Sequence, residues 1–220
     1  MNQYENLTAS VKERKHTMYS YFKRLFDIVG AIPLLLVFVA AYIVLIPFYC
    51  FGEMKGPMLF KQQRIGKNGK LFSIYKFRTM VVNAEQILKQ SEELYALYVQ
   101  NNYKLDPAQD PRTTKLGRFL RASSIDELPQ VLNILKGEMS FVGPRPIVES
   151  ELEFYGQRKA DLLKVKPGLT GYWQVSGRST VHYPKRAELE LYYVEHCSFC
   201  LDLLIMLKTV KVVFTKNGAY

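Results

Sequence analysis

Ile28-Val-Gly-Ala-Ile-Pro-Leu-Leu-Leu-Val-Phe-Val-Ala-Ala-Tyr-Ile-Val-Leu-Ile-Pro-Phe-Tyr-Cys-Phe-Gly52 runs for 25 positions without a charged residue. As straight helix it is ~37 Å long against ~30 Å of bilayer hydrocarbon. It is too long for the core of a signal peptide and carries no convincing small-residue cleavage site, so it reads as a membrane segment. Pro33 and Pro47 leave only residues 34–46, ~20 Å, as uninterrupted helix. Both flanks are basic: Lys23 and Arg24 precede the run, and Lys55, Lys61, Arg64, Lys67 and Lys70 follow it. The positive-inside rule then puts both ends on the cytoplasmic face, which favours a bent, re-entrant helix over a single tilted span.

Around this segment the chain divides three ways. Residues 1–22, with Lys12, Arg14 and Lys15, read as a flexible polar leader; residues 23–52 are membrane-embedded; residues 53–220 form a cytoplasmic, membrane-associated domain. A chain of 220 residues buries one sizeable core plus an appendage. Its net charge of +10 points to nucleic acid, anionic membrane or phosphorylated ligands as partners. Three cysteines make no disulfide framework, and Cys197-Ser-Phe-Cys200 has no second pair to complete a zinc site, so it reads as a packing or interface face.

Met58–Ile65 and Leu71–Phe77 flank Gly66-Lys-Asn-Gly69 and predict a β-hairpin. Residues 83–100 read as helix and Asn101–Thr114 as polar loop. Turns follow at Gly143-Pro-Arg-Pro146 and Lys166-Pro-Gly-Leu-Thr-Gly171. A last helix over about 186–214 is apolar nearly all round at Leu201–Val210, so it is buried or lies in a membrane interface. The fold class is α+β, mainly helical with a small β-hairpin, one N-terminal re-entrant membrane helix and amphipathic interface helices.

Chemistry concentrates at Ser123-Ser-Ile-Asp-Glu-Leu-Pro-Gln130. Ser124 and Glu127 fit a capping box, and Leu128, Val131, Leu132 and Leu135 form an apolar face, so a well-capped core helix is one reading. Pro129 argues for a helix start nearer Asp126, with Asp126, Gln130 and Asn133 on one polar face. Adjacent carboxylates in so basic a chain are the other reading: acid placed beside phosphate, with a cation between them. Basic residues recur in turns: Lys76, Arg78, Arg112, Arg118, Arg121, Arg145 and Arg178. A guanidinium fork suits bidentate phosphate binding. The three histidines form no ligand spacing, and neither a nucleophile elbow nor a P-loop motif occurs. The rival class is a non-catalytic, membrane-tethered basic protein binding anionic lipid or nucleic acid. The membrane segment and the want of a reading motif argue against nucleic acid.

Taken together, several motifs resemble the bacterial sugar transferases, the monotopic phosphoglycosyl transferases acting on polyprenyl phosphate. They are Lys23-Arg24 with Asp27, Ile74–Met80, Leu120–Gln130, Asn133–Gly137, Met139–Pro146, Lys166–Gly171 and Gln174–Arg178, spanning about Lys23 to Tyr220. The resemblance implies transfer of a sugar 1-phosphate from a UDP-sugar to undecaprenyl phosphate, with release of UMP, at the inner membrane of a bacterium and on its cytoplasmic side. It makes Asp126 the nucleophile and a Mg²⁺ contact, Glu127 its partner, and Lys76, Arg121, Arg145 and Arg178 the phosphate- and nucleotide-handling residues. Arg78 and Arg112 are additional phosphate candidates, Glu190 a candidate for substrate or metal, and a second copy of the chain a candidate partner besides membrane lipid. Val39-Ala40 stands where the family carries the Ser-Pro that bends its membrane helix, and Glu190 where it carries aspartate.

Overall fold

The computed structural model describes residues 3–100, 105, 110–177 and 180–215. Helix α1 (Gln3–Cys50) opens the chain and runs on through both Pro33 and Pro47. The stretch expected as a leader is therefore helical from Gln3 and continuous with the apolar segment. The prolines do not end the helix, although each removes a backbone donor. Among the described residues, Met18–Cys50 is the one helix long and apolar enough to cross a membrane, and it is mostly unburied.

What is buried in α1 forms a single stripe: Asp27, Ala31, Phe38, Leu45 and Tyr49. Spacings of 4, 7, 7 and 4 residues keep these positions on one face. That face packs along the rest of the protein almost from end to end. Near its start, Lys23 Nζ donates to Asp202 Oδ2 at 2.6 Å, and Arg24 donates to the Ile134 and Leu135 carbonyls at 2.6 and 2.7 Å. One turn on, Asp27 Oδ1 accepts from Ser140 Oγ at 2.9 Å and from the Phe141 N–H at 3.0 Å. Farther along, the Phe38 and Tyr42 rings lie 5.7 and 6.3 Å from Phe77, and the Tyr49 hydroxyl donates to the Arg78 carbonyl at 2.5 Å. The opposite face exposes Ile32, Leu36, Val37, Ile43, Val44 and Phe48.

Strands β1 (Leu59–Ile65) and β2 (Leu71–Phe77) pair antiparallel from Leu59↔Phe77 to Ile65↔Leu71, as the hairpin signal predicts. Asn68 and Gly69 take positive φ in the connection, the conformation for which Asn-Gly is suited. The helix expected over 83–100 is two, α2 (Ala84–Gln90) and α3 (Glu92–Gln100). Ser91 divides them: its backbone is extended, and its Oγ accepts from the Leu94 N–H, which is N-cap behaviour.

Helix α4 (Lys115–Ala122) begins at Thr114, whose side chain accepts from the Gly117 N–H at 3.0 Å. Ser124 then turns left-handed, a 3-10 helix covers Ile125–Gln130, and α5 (Val131–Lys136) ends at left-handed Gly137. The acidic pair thus lies in a 3-10 turn and not at the start of a regular α-helix, and Ser124 makes no side-chain cap. Asn133 does not join a polar face with Asp126. It is fully buried and staples α5 to β2: its Oδ1 accepts from the Tyr75 N–H at 3.1 Å, and its Nδ2 donates to the Ser73 carbonyl and to Glu138, each at 2.7 Å.

The segment read as a turn at Lys166–Gly171 contains a strand, β4 (Gly168–Thr170), which pairs in parallel with β3 (Ser140–Val142), just before the turn at Gly143–Pro146. Backbones approach so closely here that a Cβ on Gly143 would lie 2.4 Å from the Lys166 carbonyl, and one on Gly168 2.1 Å from the Gly143 nitrogen. A long 3-10 segment (Glu149–Arg158), α6 (Lys159–Leu162) and α7 (Tyr172–Val175) complete this half. The last helix is also two, α8 (Lys185–His196) and α9 (Phe199–Thr215), with the Ser198 side chain accepting from the Leu201 N–H at the break. Cys197 is half-buried, packing beside Tyr193 and Ile205, and Cys200 is exposed; both are free thiols.

Replacing Asn133 by leucine strands the Tyr75 N–H and the Ser73 carbonyl in the core. Denaturant unfolding of the detergent-solubilised variant is expected to show a loss of about 2–4 kcal/mol.

Candidate active site

Strand β2 separates the membrane helix from the site. Phe77 packs on α1, while Lys76, one residue earlier and so on the opposite face of the strand, donates to Glu127 Oε1 at 2.6 Å. Successive residues of a 3-10 helix point about 120° apart, so the Asp126 and Glu127 side chains leave the backbone in different directions. Glu127 is the tethered member. Burial works to raise its carboxyl, but Lys76 and Arg145 outweigh burial and hold it below the usual range. Asp126 is 8% exposed, and no hydrogen bond among the described residues reaches its carboxylate. Burial pushes Asp126 up to about 6 against the attraction of Lys76, with Glu127 adding to the rise and Arg121 and Arg145 opposing it. The pair therefore holds one anchored carboxylate and one unbonded carboxylate in a ring of cations.

The expected basic residues divide by what holds them. Arg121 Nε donates to Thr79 Oγ1 at 2.9 Å, leaving the rest of its fork to act on Asp126. Arg145, in the turn after β3, lies with its guanidinium 5.9 Å from the Trp173 ring, and Arg186 lies 4.4 Å from the same ring. Arg178 is outside the described residues. Arg78 and Arg112, expected as extra phosphate contacts, are engaged inside the protein. Each nitrogen of Arg78 donates to a backbone carbonyl, those of Pro57, Met80 and Met54, and Arg112 is a bidentate partner of Asp110 at 2.8 Å for both bonds. Both side chains are structural.

Glu190 is 1% exposed and sits in a closed network, accepting from Tyr155 Oη and Arg186 Nε. Burial raises its carboxyl against the pull of Arg186, Tyr155 and the Arg145 backbone N–H. Glu190 is thus a brace behind the site and is too enclosed to be a substrate or metal ligand.

Beside Lys76 and Glu127 lies a water-sized cavity of about 10 Å³, also lined by Arg64, Gln130, Arg145 and Gln174, with Ile74, Pro146 and Leu169 as apolar wall. Arg64 and Gln174 are lining residues that sequence reasoning did not single out. For Arg64 a signal was present: the Asn-Gly turn sets the hairpin register, Arg64 pairs with Phe72, and Phe72, Ile74 and Lys76 share one face of β2.

The features assembled so far are one helix long and apolar enough to cross a membrane and a buried acidic pair among cationic side chains. The family model described as bacterial sugar transferase matches residues 18–216. The chain is 43% identical over 203 residues to undecaprenyl-phosphate galactose phosphotransferase of Salmonella typhimurium, covering 91% of this chain and 42% of that protein. It is 40% identical over 202 residues to exopolysaccharide production protein ExoY of Rhizobium meliloti, covering 90% and 88%. It is 36% identical over 209 residues to UDP-glucose:undecaprenyl-phosphate glucose-1-phosphate transferase of Klebsiella pneumoniae, covering 90% and 41%. The chain spans under half the length of the first and third of these relatives. It belongs to the bacterial sugar transferase family.

A carboxyl whose folded pKa is raised binds its proton more tightly in the folded state, so it lowers stability once pH exceeds the unfolded value. Asp126→Asn is therefore expected to be more stable than the parent at pH 8 by about 1–3 kcal/mol. In denaturant unfolding the difference should shrink as pH falls below about 6 and vanish below about 4.

Proposed function

We propose that this chain transfers a sugar 1-phosphate from a UDP-sugar to undecaprenyl phosphate, with Asp126 as the covalent acceptor. An Asp126 oxygen attacks the sugar-bearing β-phosphorus, the bond from that phosphorus to the bridging oxygen breaks, and UMP leaves with the electron pair. An oxygen of undecaprenyl phosphate then attacks the same phosphorus, and the acyl phosphate bond breaks to restore Asp126. Two easier displacements replace one difficult transfer between bulky anions. The carrying observation is the contrast within the pair: Glu127 is tied to Lys76, while among the described residues no hydrogen bond reaches the Asp126 carboxylate, which lies near Lys76, Arg121 and Arg145.

Lys76, Arg121 and Arg145 draw the diphosphate to this carboxylate and absorb charge on the transferring group. Among the described residues no cluster of three or more His, Cys, Asp or Glu could cage a metal. Mg²⁺ needs no such cage, since it is commonly held by one or two carboxylates plus substrate phosphates and water. The unbonded Asp126 carboxylate fits that donor set. Mg²⁺ held there with the donor's phosphate oxygens would supply charge neutralisation between two anions.

The galactose and glucose phosphotransferases named among the relatives support a hexose donor and a place at the first membrane-bound step of polysaccharide assembly. We infer a location at the cytoplasmic face of a bacterial inner membrane, since nucleotide sugars are available there. Helix α1 would enter only the near leaflet. In support, both ends of its apolar part are held by the same domain, Lys23 by Asp202 and Tyr49 by the Arg78 carbonyl.

Incubation with candidate UDP-hexoses and Mg²⁺ without lipid is expected to release UMP in step with a phospho-sugar adduct on Asp126, visible by intact mass. Asp126→Asn should lose at least roughly a thousandfold in turnover; substantial activity in that variant would falsify the nucleophile assignment. The rate should fall as pH drops below about 6, because protonation removes the attacking carboxylate. In a background lacking the three native cysteines, cysteines placed at positions 10 and 60 should label from the same side of the membrane. Labelling from opposite sides overturns the single-leaflet topology.

A further inference from the structure

At the left-handed turn that ends α5, two cations meet at one point. A Cβ placed on Gly137 would lie 3.5 Å from the Arg24 guanidinium and 3.5 Å from Lys166 Nζ. Like charges this close repel, so other bonds have to hold them. Arg24 is held: it donates to the Ile134 and Leu135 carbonyls, which accounts for its place at the negative end of α5. Lys166 is not. Among the described residues no acceptor is hydrogen-bonded to its Nζ, although the residue is half-buried. Lys67 joins the pair from the hairpin connection, where the Asn68 N–H donates to the Leu163 carbonyl at 2.8 Å and draws the turn against the segment leading into Lys166.

Burial lowers the Lys166 ammonium, and Arg24, Lys67 and Lys23 lower it further against the pull of Asp27. The carboxylates on the packed elements are spent elsewhere: Asp27 on Ser140 and Phe141, Glu138 on Asn133, Asp202 on Lys23, and Asp161 on Lys164 and Arg158. The cluster is therefore net positive, and the ammonium groups of Lys166 and Lys67 keep N–H donors to offer an anion. Its position along α1 selects the kind of anion. Arg24 stands one turn before Ile28, where the charge-free run begins, and Ile28 and Ile32 continue its ridge at 39% and 56% exposure. Leu25 and Val29 are exposed beside them. A soluble anion would use the lysines and leave that apolar ridge in water. A phospholipid uses both, with its phosphate on the lysines at headgroup level and an acyl chain along the ridge. A zwitterionic headgroup brings a cation of its own to this cluster, so an anionic one fits better.

We propose that Lys166 and Lys67, backed by Arg24, bind the phosphate of an anionic phospholipid at the point where α1 enters the bilayer. The site is separate from the acidic pair: Arg24 is docked at the C-terminal end of α5, and Asp126 lies in the 3-10 segment that precedes the other end. It does not depend on the transfer chemistry proposed above and requires only that α1 reaches lipid. A lipid held there bridges the start of α1, the hairpin connection and the segment entering β4, and offsets the repulsion among their cations.

The test is native mass spectrometry of the detergent-solubilised full chain, titrated with phosphatidylglycerol, phosphatidylcholine and inorganic phosphate. The parent is expected to retain phosphatidylglycerol in preference to phosphatidylcholine. Lys166→Gln and Lys67→Gln are each expected to weaken phosphatidylglycerol by about fivefold, the worth of one lysine at an anionic surface, and to leave phosphatidylcholine unchanged. Lys89→Gln, which removes an exposed lysine of α2, should bind as the parent does. Lys67 is exposed, so its variant decides the matter even where Lys166→Gln fails to match the parent in a thermal melt. A parent without the anionic preference, or lysine variants that keep it in full, overturns the site. An equal loss in Lys89→Gln does the same, because the attraction is then general charge. Displacement of the lipid by millimolar inorganic phosphate replaces the lipid with a free anion and overturns the assignment. Competition between phosphatidylglycerol and undecaprenyl phosphate in turnover overturns the separateness of the site and makes it the acceptor's own.

Discussion

The Asp27 carboxylate, accepting from Ser140 Oγ and the Phe141 N–H, is the bond on which the architecture turns. An apolar helix in contact with lipid gains little by exchanging lipid for protein, because hydrocarbon tails are as apolar as leucine. Apolar packing along the Ala31–Tyr49 stripe therefore cannot by itself fix where α1 sits. Directional polar bonds can. Asp27 ties the helix to β3, Arg24 ties it to the C-terminal carbonyls of α5, and Lys23 ties it to Asp202 of α9. Arg24 also places a positive charge at the negative end of α5, where a helix terminus leaves carbonyls unpaired.

From that docking the site follows in two directions. Strand β3 leads directly into the turn carrying Arg145, and α5 leads back through the 3-10 segment to Asp126 and Glu127. Asn133 fixes α5 against β2, so Lys76 meets Glu127 in a set register. The membrane helix and the acidic pair are thus held by the same few buried side chains. The proposed transfer, from a donor in water to an acceptor in the bilayer, would use that coupling, since it would hold the carboxylate at a fixed depth.

Glu190 shows how a chemically suggestive residue can serve the site indirectly. Its carboxylate is closed in by Tyr155 and Arg186, and Arg186 stacks on the same Trp173 ring as Arg145. Arg78 and Arg112 are comparable: basic residues beside the site whose hydrogen bonds go to the fold. Arg64 and Gln174 keep buried polar atoms without a protein partner, as do Thr113, Tyr183 and Arg186 among the described residues.

The sequence by itself determined the long apolar segment, the hairpin and the mainly helical class, and it singled out the Asp126–Glu127 pair as a candidate site. Each of these is written in short-range pattern: a charge-free run, alternation about Asn-Gly, adjacent acids in a basic chain. Local pattern misjudged continuity. It ended α1 at prolines that the helix passes through, and it merged α2 with α3 and α8 with α9, because Ser91 and Ser198 act as caps only once the chain has turned. The parallel pairing of β3 with β4, the division of the arginines into site and scaffold, and the difference between Asp126 and Glu127 were decided by tertiary structure alone. These depend on partners far apart in sequence, such as Lys76 for Glu127, the Arg145 backbone for Glu190 and Lys166 beside Gly143. Burial and hydrogen-bond occupancy belong to the folded chain, and no local window contains them.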